Sequence, residues 1–290
     1  MLELSLVVPR EDDGLPVRRL ALSRLHMSYG QFKRAKFEGE MLLDGLPVHA
    51  DHFARSGQRL VVRLPMQEGA ACVPYPLPLT IPYEDDDLLV IDKPAPLASV
   101  SSRSKLGDTL ENAVYSYFGC PDRFVYQPVN RLDKGTSGLM VVAKHSHAQQ
   151  YLQAELHTER FVREYLAVCD GCPKDDAGVI DLPIAKEDAA TIRRVVSPQG
   201  RPARTEYRVL ERGADRSLLR LKLDTGRTHQ IRVHLSAVGC PVTGDFLYGK
   251  EHIALPHRFA LHSFRLGLET LRHGRIELES PLPKALRQLL

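Results

Sequence analysis

The sequence lacks several features that define large classes of protein. Its 290 residues contain no Trp, and no apolar run approaches the roughly 18 to 20 residues that a membrane-spanning helix requires. The apolar start at residues 2–8 has neither a basic flank nor a small-residue cleavage pattern, which argues against a secretory signal. We therefore expect an unprocessed, cytoplasmic protein with no membrane association.

Cysteine is also scarce, at five residues, an odd number that argues against a disulfide framework. Cys169 and Cys172 form the only C-x-x-C pair, and neither a second pair nor two His at zinc-finger spacing stands nearby. We interpret the thiols as inert and predict no metal site.

A large excess of positive charge is missing too, because 39 Lys and Arg face 36 Asp and Glu, for a net charge of +3. This balance excludes a histone-like polybasic protein, and an apolar content of 43% excludes a disordered chain. Charge is nevertheless unevenly distributed along the chain. Residues 14–65 hold nine basic and four acidic residues, and residues 201–275 hold fourteen and seven. The region 81–200 between them is acidic. Two basic regions are compatible with a polyanionic partner.

Five prolines between residues 65 and 82 divide the chain into two parts, because proline resists both helix and central strand. We predict a small α+β module at 1–65, a Pro-rich linker at 66–80 and a large domain at 81–290. Within the module, a basic helix is predicted over 28–37. Its basic residues are Lys33, Arg34 and Lys36.

Apolar periodicity indicates that the large domain has more strands than helices. Residues 137–144 form a continuous apolar run typical of a buried strand, and residues 219–224 alternate as in a half-buried strand. An amphipathic helix is predicted over 231–238, ended by Gly239. Because strands and helices do not alternate regularly, we predict an α+β fold with a mixed, mostly antiparallel sheet.

Two smaller features of this domain also give predictions. Asp108 and Glu111 have the spacing of a capping box, which predicts a helix from about Asp108 to Phe118. The acidic run at 84–87 is interpreted as a solvated turn and not a metal cluster, because adjacent side chains diverge.

Residues 130–138 place one acid, Asp133, between two cations and two hydroxyls on a glycine-containing loop. The apolar strand that follows would hold this loop on a rigid support, an arrangement suited to nucleophilic or acid–base chemistry. A surface turn with a capping Asp explains the same composition equally well.

Residues 225–234 place two arginines, a Gln and a His at the start of the amphipathic helix, where backbone N–H groups and the helix dipole favour anions. An anion site and a solvated basic face fit this composition equally well. His234 lies on the apolar stripe and is interpreted as a hydrogen-bonded core histidine, whereas His229 lies elsewhere on the helix.

Familiar nucleotide-binding and hydrolase motifs are absent or incomplete. The run 244–250 matches G-x-x-x-x-G-K, but Glu251 stands where a Ser or Thr would bind magnesium, so we reject a phosphate-binding loop. No H-E-x-x-H, G-x-S-x-G or Rossmann glycine pattern occurs in the sequence.

Taken together, the two polar segments resemble the signature motifs of the RluA family of pseudouridine synthases. Weaker matches extend the resemblance over about residues 80 to 285, and the segment before residue 66 resembles the small RNA-binding module named after ribosomal protein S four. The two signature runs are Arg131-Leu132-Asp133-x-x-Thr136-Ser137-Gly138-Leu139 and Gly226-Arg227-Thr228-His229-Gln230-Ile231-Arg232-Val233-His234.

The resemblance implies an isomerase that converts uridine within RNA to pseudouridine without a metal or another cofactor. It implies that Asp133 acts on the sugar, either by attacking the anomeric carbon or by removing a neighbouring ribose proton. Arg232 is implied to pair with Asp133 and keep it ionised. Tyr165 is implied to pack against the target base and to help remove its ring proton.

The resemblance also implies how RNA is bound. Arg131 is expected to fill the gap left by the flipped nucleotide, because its planar guanidinium can stack where the base was. We predict that ribosomal RNA is a better candidate partner than transfer RNA. We also predict that the protein is monomeric. The remaining RNA-binding candidates are Thr136, Arg227, His229, Gln230, Lys33, Arg34 and Lys36.

Three places depart from the family pattern. Asn130 stands where the family usually has His, residues 96–101 replace a Gly-Leu and Val-His-Pro run, and Ser263 stands where Ala is common. Since none of these changes removes a reacting group, we expect altered RNA contacts and retained activity.

Two other functions are considered at this point. A catalytically silent RNA-binding protein of the same fold is disfavoured by the intact Asp133, Tyr165 and Arg232. A metal-independent glycosidic-bond hydrolase is disfavoured because only one well-placed acid is found where such enzymes generally use two.

Overall fold

Two separate β-sheets organise the chain in the computed structural model. The structure describes residues 1–65, 69, 72–102, 107–156 and 158–290. Among these residues, no helix is long and apolar enough to cross a membrane.

The first sheet is formed by the N-terminal residues and has its own hydrophobic core. Its four strands are antiparallel in the order β1-β4-β2-β3. Helix α2 starts at a capping box in which Ser28 and Gln31 bond each other's backbone, so the predicted basic helix is present. The elements are β1 (Leu2–Val7), α1 (Val17–Ser23), α2 (Tyr29–Glu38), β2 (Glu40–Leu43), β3 (Leu46–Pro47) and β4 (Arg59–Leu64).

The rest of the described chain forms a second sheet of ten strands, a separate two-stranded hairpin and four helices. The elements up to α4 are β5 (Thr80–Glu84), β6 (Leu88–Lys93), α3 (Leu110–Tyr117), β7 (Gln127–Pro128), β8 (Ser137–Ala143) and α4 (Ser146–Glu155). Those after α4 are β9 (Val162–Asp170), β10 (Ala177–Asp181), β11 (Ile184–Lys186), β12 (Arg194–Val196), β13 (Arg204–Arg212), β14 (Arg216–Leu223), α5 (Gln230–Ala237), β15 (Leu261–Glu269), β16 (Arg275–Glu279) and α6 (Lys284–Arg287).

The strand order of this sheet is β10-β13-β14-β9-β15-β8-β6-β5, with β16 beside β15 and β7 beside β8. Strands β11 and β12 form a separate hairpin. Within the described residues, every pair of named strands is antiparallel except β8 with β15. The prediction of an α+β fold with a mixed, mostly antiparallel sheet is confirmed.

Helices cover both faces of the large sheet, which explains the continuous apolar run of β8. All seven residues of β8 are buried. On one face the core includes Leu110 of α3 and Leu235 of α5, and on the other it includes Leu152 of α4. The loop before β8 therefore begins from a strand that is held on both sides.

The single parallel contact brings distant parts of the chain together beside that loop. Ser137 pairs with His262 and Gly138 pairs with Ser263, at the starts of β8 and β15. Gly138 has φ +105°, and a Cβ there would lie 2.2 Å from the carbonyl oxygen of Ser263. Glycine is required because the two backbones approach too closely for a side chain.

Two local predictions need correction. Helix α3 is capped by Thr109, whose hydroxyl accepts from the Asn112 N–H while the Asn112 side chain accepts from the Thr109 N–H, so the predicted Asp108 box is one residue early. The acidic run is not wholly solvated, because Asp87 is buried, with its carboxylate 2.9 Å from Nε2 of His145 and 3.0 Å from Nε of Arg272.

The Pro-rich segment follows the surface of the large domain where it is described. Residues 72–79 form neither helix nor strand, as their composition predicts, and Tyr75, Leu77 and Leu79 pack against the core. The backbone N–H of Tyr75 donates to Oγ of Ser116 at 2.7 Å. The rest of the predicted linker, residues 66–68, 70 and 71, lies outside the described residues.

Candidate active site

The two polar segments that the sequence singles out face each other across one cleft. The loop before β8 forms one wall and the start of α5 forms the other, and the cavity between them has a volume of about 710 Å³. Asp133, Tyr165 and Arg232 all line it. The alternatives of a surface turn and a solvated basic face do not fit this arrangement.

Arg232 joins two carboxylates at the bottom of the cleft. Its Nη1 donates to Oδ2 of Asp133 at 2.9 Å, the contact that the resemblance implied. Its Nε and Nη2 donate to the two oxygens of Asp245, at 2.6 and 2.8 Å. Arg232 is only 3% exposed and Asp245 is fully buried, whereas the side chain of Asp133 is 28% exposed to the cleft.

Aromatic rings enclose the guanidinium of Arg232. Its central carbon lies 4.2 Å from the ring centre of Phe259 and 5.0 Å from that of Tyr248. Burial alone would lower the pKa of Arg232, but the hydrogen bonds and charges of Asp245 and Asp133 raise it above its usual value. The arginine is therefore a permanent cation in direct contact with the carboxyl group of Asp133.

The loop that carries Asp133 is tied down on both sides. The N–H of Thr136 donates to the carbonyl of Asp133 at 3.0 Å, which closes a turn. Ser99 donates to the carbonyl of Leu132 at 2.6 Å and accepts from its N–H at 3.2 Å. Ser99 belongs to the segment 96–101 that departs from the family pattern, so part of this departure supports the loop that carries Asp133.

Asn130, the second departure, also has a structural partner. Its side chain is buried, and its Oδ1 accepts from the backbone N–H of Val141 at 2.9 Å. The residue therefore fixes the start of the loop to strand β8. This position explains why a change from His need not remove a reacting group.

Lys93 lies buried behind the same loop. Its Nζ donates to the carbonyls of Leu97 and Pro94, at 2.8 and 3.1 Å, and so holds the segment after β6. Burial lowers the pKa of Lys93 to about 7, while the charge of Asp133 acts in the opposite direction.

Tyr165 forms part of the cleft lining and is 6% exposed in the absence of RNA. Burial raises the pKa of its phenol, and the nearby Arg163 lowers it. Because the pKa remains above its usual value, the phenol is neutral at physiological pH.

The proposed RNA-binding residues occupy different environments. Arg131 is exposed at the mouth of the cleft, and Arg227 is half-buried, with its Nε donating to the carbonyl of Pro202 at 3.0 Å. Thr136 also lines the cleft but is nearly buried beneath the loop. Of these three residues, Arg131 is the exposed one.

Gln230 does not suit the RNA-binding role that the sequence suggested. Its buried side-chain oxygen accepts from the Thr225 hydroxyl at 2.8 Å and the Arg227 N–H at 2.9 Å. Its nitrogen donates to the carbonyl of Arg204 and the hydroxyl of Thr205, both at 3.0 Å. All its hydrogen-bonding capacity is used within the protein, so we assign it to shaping the loop before α5.

The other assignments in this region are simpler. His234 is buried, and its two ring nitrogens lie 2.9 Å from Oγ1 of Thr205 and 2.9 Å from the carbonyl oxygen of Leu182, which confirms a core histidine. Lys33 and Lys36 are exposed on α2, and Arg34 is half-buried there. Helix α2 belongs to the N-terminal sheet and does not line the cleft.

Sequence reasoning gave no role to Asp245, Lys93 or Tyr248. The run containing Asp245 and Tyr248 is rejected above as a phosphate-binding loop, and it is also one of the weaker matches to the family pattern within residues 80 to 285. That match was the available signal. Lys93 lies in another run that agrees with the family pattern, residues 83–94, but its burial was not evident from the sequence.

Comparison with known proteins agrees with this geometry. Residues 87–237 match the family described as RNA pseudouridylate synthase. The chain is 35% identical over 260 residues to the uncharacterized RNA pseudouridine synthase YlyB of Bacillus subtilis, covering 87% of this chain and 85% of that protein. It is 36% identical to ribosomal large subunit pseudouridine synthase D of Haemophilus ducreyi, covering 81% and 76%.

Solved structures give the same result. The human RNA pseudouridylate synthase domain containing 1 superposes with a TM-score of 0.57 at 29% sequence identity, covering 70% of this chain and 83% of that one. The human RNA pseudouridylate synthase domain containing 4 superposes with a TM-score of 0.58 at 27% sequence identity, covering 72% of this chain and 92% of that one. On the strength of its motifs, its fold and these relatives, the chain belongs to the RluA family of RNA pseudouridine synthases, which are isomerases.

Proposed function

We propose that Asp133 is the catalytic carboxylate with which this RNA pseudouridine synthase acts on the ribose of its target uridine. The observation that carries this proposal is the contact of Asp133 with Arg232, whose orientation Asp245 fixes from behind. Arg232 gives this carboxyl group a permanent positive partner at hydrogen-bonding distance. Its partial exposure leaves it accessible to substrate.

The reaction breaks the bond between the anomeric carbon and N1 of uracil and forms one between the anomeric carbon and C5. The C5 proton is lost and N1 gains a proton, so no oxidant or reductant is consumed. Asp133 starts the exchange either by attacking the anomeric carbon or by removing the neighbouring ribose proton. Either route requires the anionic form that Arg232 supports.

Tyr165 and Arg131 serve the base in this proposal. A uridine stacked in RNA cannot reach the cleft, so the nucleotide is flipped, at a cost of a few kcal/mol. Arg131, exposed at the mouth of the cleft, takes the place of the flipped base. Tyr165 in the cleft lining packs against the uracil and assists removal of the C5 proton.

We propose ribosomal RNA as the substrate, because several relatives are named as ribosomal large subunit pseudouridine synthases. The N-terminal sheet with α1 and α2 is proposed to be the RNA-binding module that resembles ribosomal protein S four. The exposed Lys33 and Lys36 support this role, and the half-buried Arg34 of the same helix is proposed to contribute to it. We further propose that the protein is cytoplasmic and monomeric.

The test uses large-subunit ribosomal RNA transcribed with tritium at C5 of uridine. The wild-type protein should release tritium and leave the RNA chain intact, whereas Asp133→Asn should release none and bind the RNA with nearly unchanged affinity. Asp122→Asn, a change at an exposed Asp away from the cleft lining, is the matched control and should retain full activity. Chemical mapping of the product then locates the modified uridine.

Other results would change the assignment. Tight binding with no tritium release by the wild type would favour a catalytically silent RNA-binding protein. Free uracil would indicate hydrolysis of the glycosidic bond. Full activity of Asp133→Asn would contradict the role of Asp133, and a loss of affinity above about tenfold would make that role mainly structural.

A further inference from the structure

His229 lies beside Asp133 in a position that the RNA-backbone role suggested by the sequence does not explain. It is the residue before α5 and has a left-handed backbone, with φ +59°. Its side chain is only 11% exposed. The ring nitrogen Nδ1 lies 2.9 Å from the hydroxyl of Tyr248, and Nε2 lies 3.9 Å from Oδ2 of Asp133.

The hydrogen bonds around Tyr248 determine which nitrogen of His229 carries the proton. The backbone N–H of Arg194 donates to the Tyr248 hydroxyl oxygen at 2.8 Å. A phenol has a single proton, and within the described residues the acceptor placed to receive it is Nδ1 of His229. We therefore assign the neutral tautomer with hydrogen on Nε2, which faces Asp133.

The imidazole is neutral at physiological pH. Burial lowers the pKa of His229, and Arg232 and Arg194 act in the same direction, while Asp133 and Asp245 oppose them. His229 therefore presents a neutral N–H donor. Arg232 then remains the cation that pairs with Asp133.

The gap between Nε2 and the Asp133 carboxylate is too long for a direct hydrogen bond. One oxygen atom placed between them could contact both. A carboxylate only accepts and this Nε2–H only donates, so the group that satisfies both must donate and accept. A hydroxyl meets this requirement, whereas a carbonyl or phosphate oxygen would place a second acceptor against the carboxylate.

We propose that Nε2–H of His229 donates to the 2′-hydroxyl of the target ribose, and that this hydroxyl donates to Asp133. The inference rests on the proposed role of Asp133. That carboxylate must reach the anomeric carbon or the carbon next to it, and the 2′-hydroxyl is attached to the latter. His229 then identifies the sugar as ribose, because the 2′-hydroxyl is what distinguishes RNA from DNA.

The test combines a change in the protein with a change in the substrate. A synthetic RNA hairpin carrying the mapped uridine is made with uridine or 2′-deoxyuridine at that position, and single-turnover rates are measured at saturating enzyme. With uridine, His229→Ala should slow turnover on the order of a hundredfold, as expected for loss of one preorganised donor. His229→Gln, which keeps an N–H donor, should recover part of this loss.

The deoxy substrate separates recognition of the hydroxyl from a structural effect. It should react slowly with the wild type, and His229→Ala should slow it by no more than about twofold further, because the partner group is already gone. Equal losses on both substrates would overturn the proposal. Asp133→Asn is measured alongside, because activity in that variant would refute the proposed function and not the role of His229 alone.

A second measurement needs no substrate. Nitrogen–proton correlation NMR of the full chain with labelled histidine reports the tautomer of His229 at neutral pH. The proposal requires hydrogen on Nε2 in the wild type and a mixture of tautomers in Tyr248→Phe. A charged ring, or hydrogen on Nδ1 in the wild type, would overturn it even if His229→Ala were inactive.

Discussion

Arg232 and Asp245 form a two-point ion pair that is closed to solvent. Both carboxylate oxygens of Asp245 accept from Arg232, and Asp245 also accepts from the backbone N–H of Leu247 at 3.0 Å. Nη1 of the same guanidinium contacts Asp133. The direction of the guanidinium that contacts Asp133 is thus set by Asp245, which is fully buried.

This relationship predicts a large effect of Asp245→Asn. The change weakens two buried, charge-assisted hydrogen bonds of Arg232 while Asp133 remains as its counter-charge, so the free energy of unfolding should fall by about 1 to 3 kcal/mol. Turnover should fall as well, because Arg232 loses its fixed orientation. Denaturant unfolding and single-turnover tritium release measure the two effects.

Asp133→Asn is the control for Asp245→Asn. Asp133 is partly exposed, so its replacement should abolish turnover with little loss of stability. If both variants changed stability equally, Asp245 would have no special structural role.

Arg131→Ala tests whether that residue fills the gap left by the flipped base. We expect at least tenfold slower turnover. Flipping the nucleotide costs a few kcal/mol, and without the arginine no side chain stacks in the gap to offset that cost. Lys134→Ala, a change at a neighbouring exposed cation on the same loop, should have a much smaller effect. In an RNA whose target uridine is already unpaired in a bulge, the Arg131→Ala defect should shrink. An equal defect in both RNAs would argue for simple phosphate binding.

Tyr165→Phe separates the ring of Tyr165 from its hydroxyl. The variant keeps the surface for stacking, so RNA affinity should be unchanged. Turnover should fall by about a hundredfold if the hydroxyl assists removal of the C5 proton. Deuterium at C5 should then slow the variant more than the wild type. Unchanged turnover would show that the phenol takes no part in that step.

His147 predicts how stability depends on pH. Burial lowers its pKa to about 4 from 6.5, and the charges of His145, His26 and Arg272 act in the same direction, against Asp87. Between these pH values the unfolded chain takes up a proton that the folded ring refuses, so the free energy of unfolding falls as pH decreases. Below about pH 4 both states are protonated, and above about 6.5 neither is.

Replacing the histidine should therefore flatten this part of the stability curve. Between pH 6.5 and 4, the free energy of unfolding should fall by about 2 to 3 kcal/mol less in His147→Leu than in the wild type. His273→Leu, at an exposed histidine, should leave the slope unchanged. An unaltered slope in His147→Leu would contradict the assigned burial effect.

Periodicity predicted much of the architecture because it records burial directly. The apolar run of β8, the alternation in β14 and the stripe of α5 all gave the correct element type, with ends shifted by a few residues. Strand pairing was less accessible. The parallel contact of β8 with β15 joins residues more than 120 positions apart, and no local pattern encodes it.

The site was predictable where a motif recorded it. Asp133 and Arg232 were named from their motifs, and their contact is present. Their catalytic roles stay predictions, as does that of Tyr165. The structural parts of Asp245 and Lys93 became evident from their burial and long-range contacts. Gln230 was misassigned for the opposite reason, because a polar side chain beside two arginines gives no sign that it is buried.

The pairing of Ser137 with His262 also affects how the enzyme is made. The hydroxyl of Ser137 lies 2.9 Å from Nδ1 of His262, across 125 positions of sequence. A growing chain on the ribosome contains Asp133 and β8 long before β15, the strand that pairs with the start of β8, has been synthesised. The nascent protein should therefore acquire RNA-modifying activity late, once residues beyond 262 have been released, and a partly synthesised copy should be unable to modify the RNA around it.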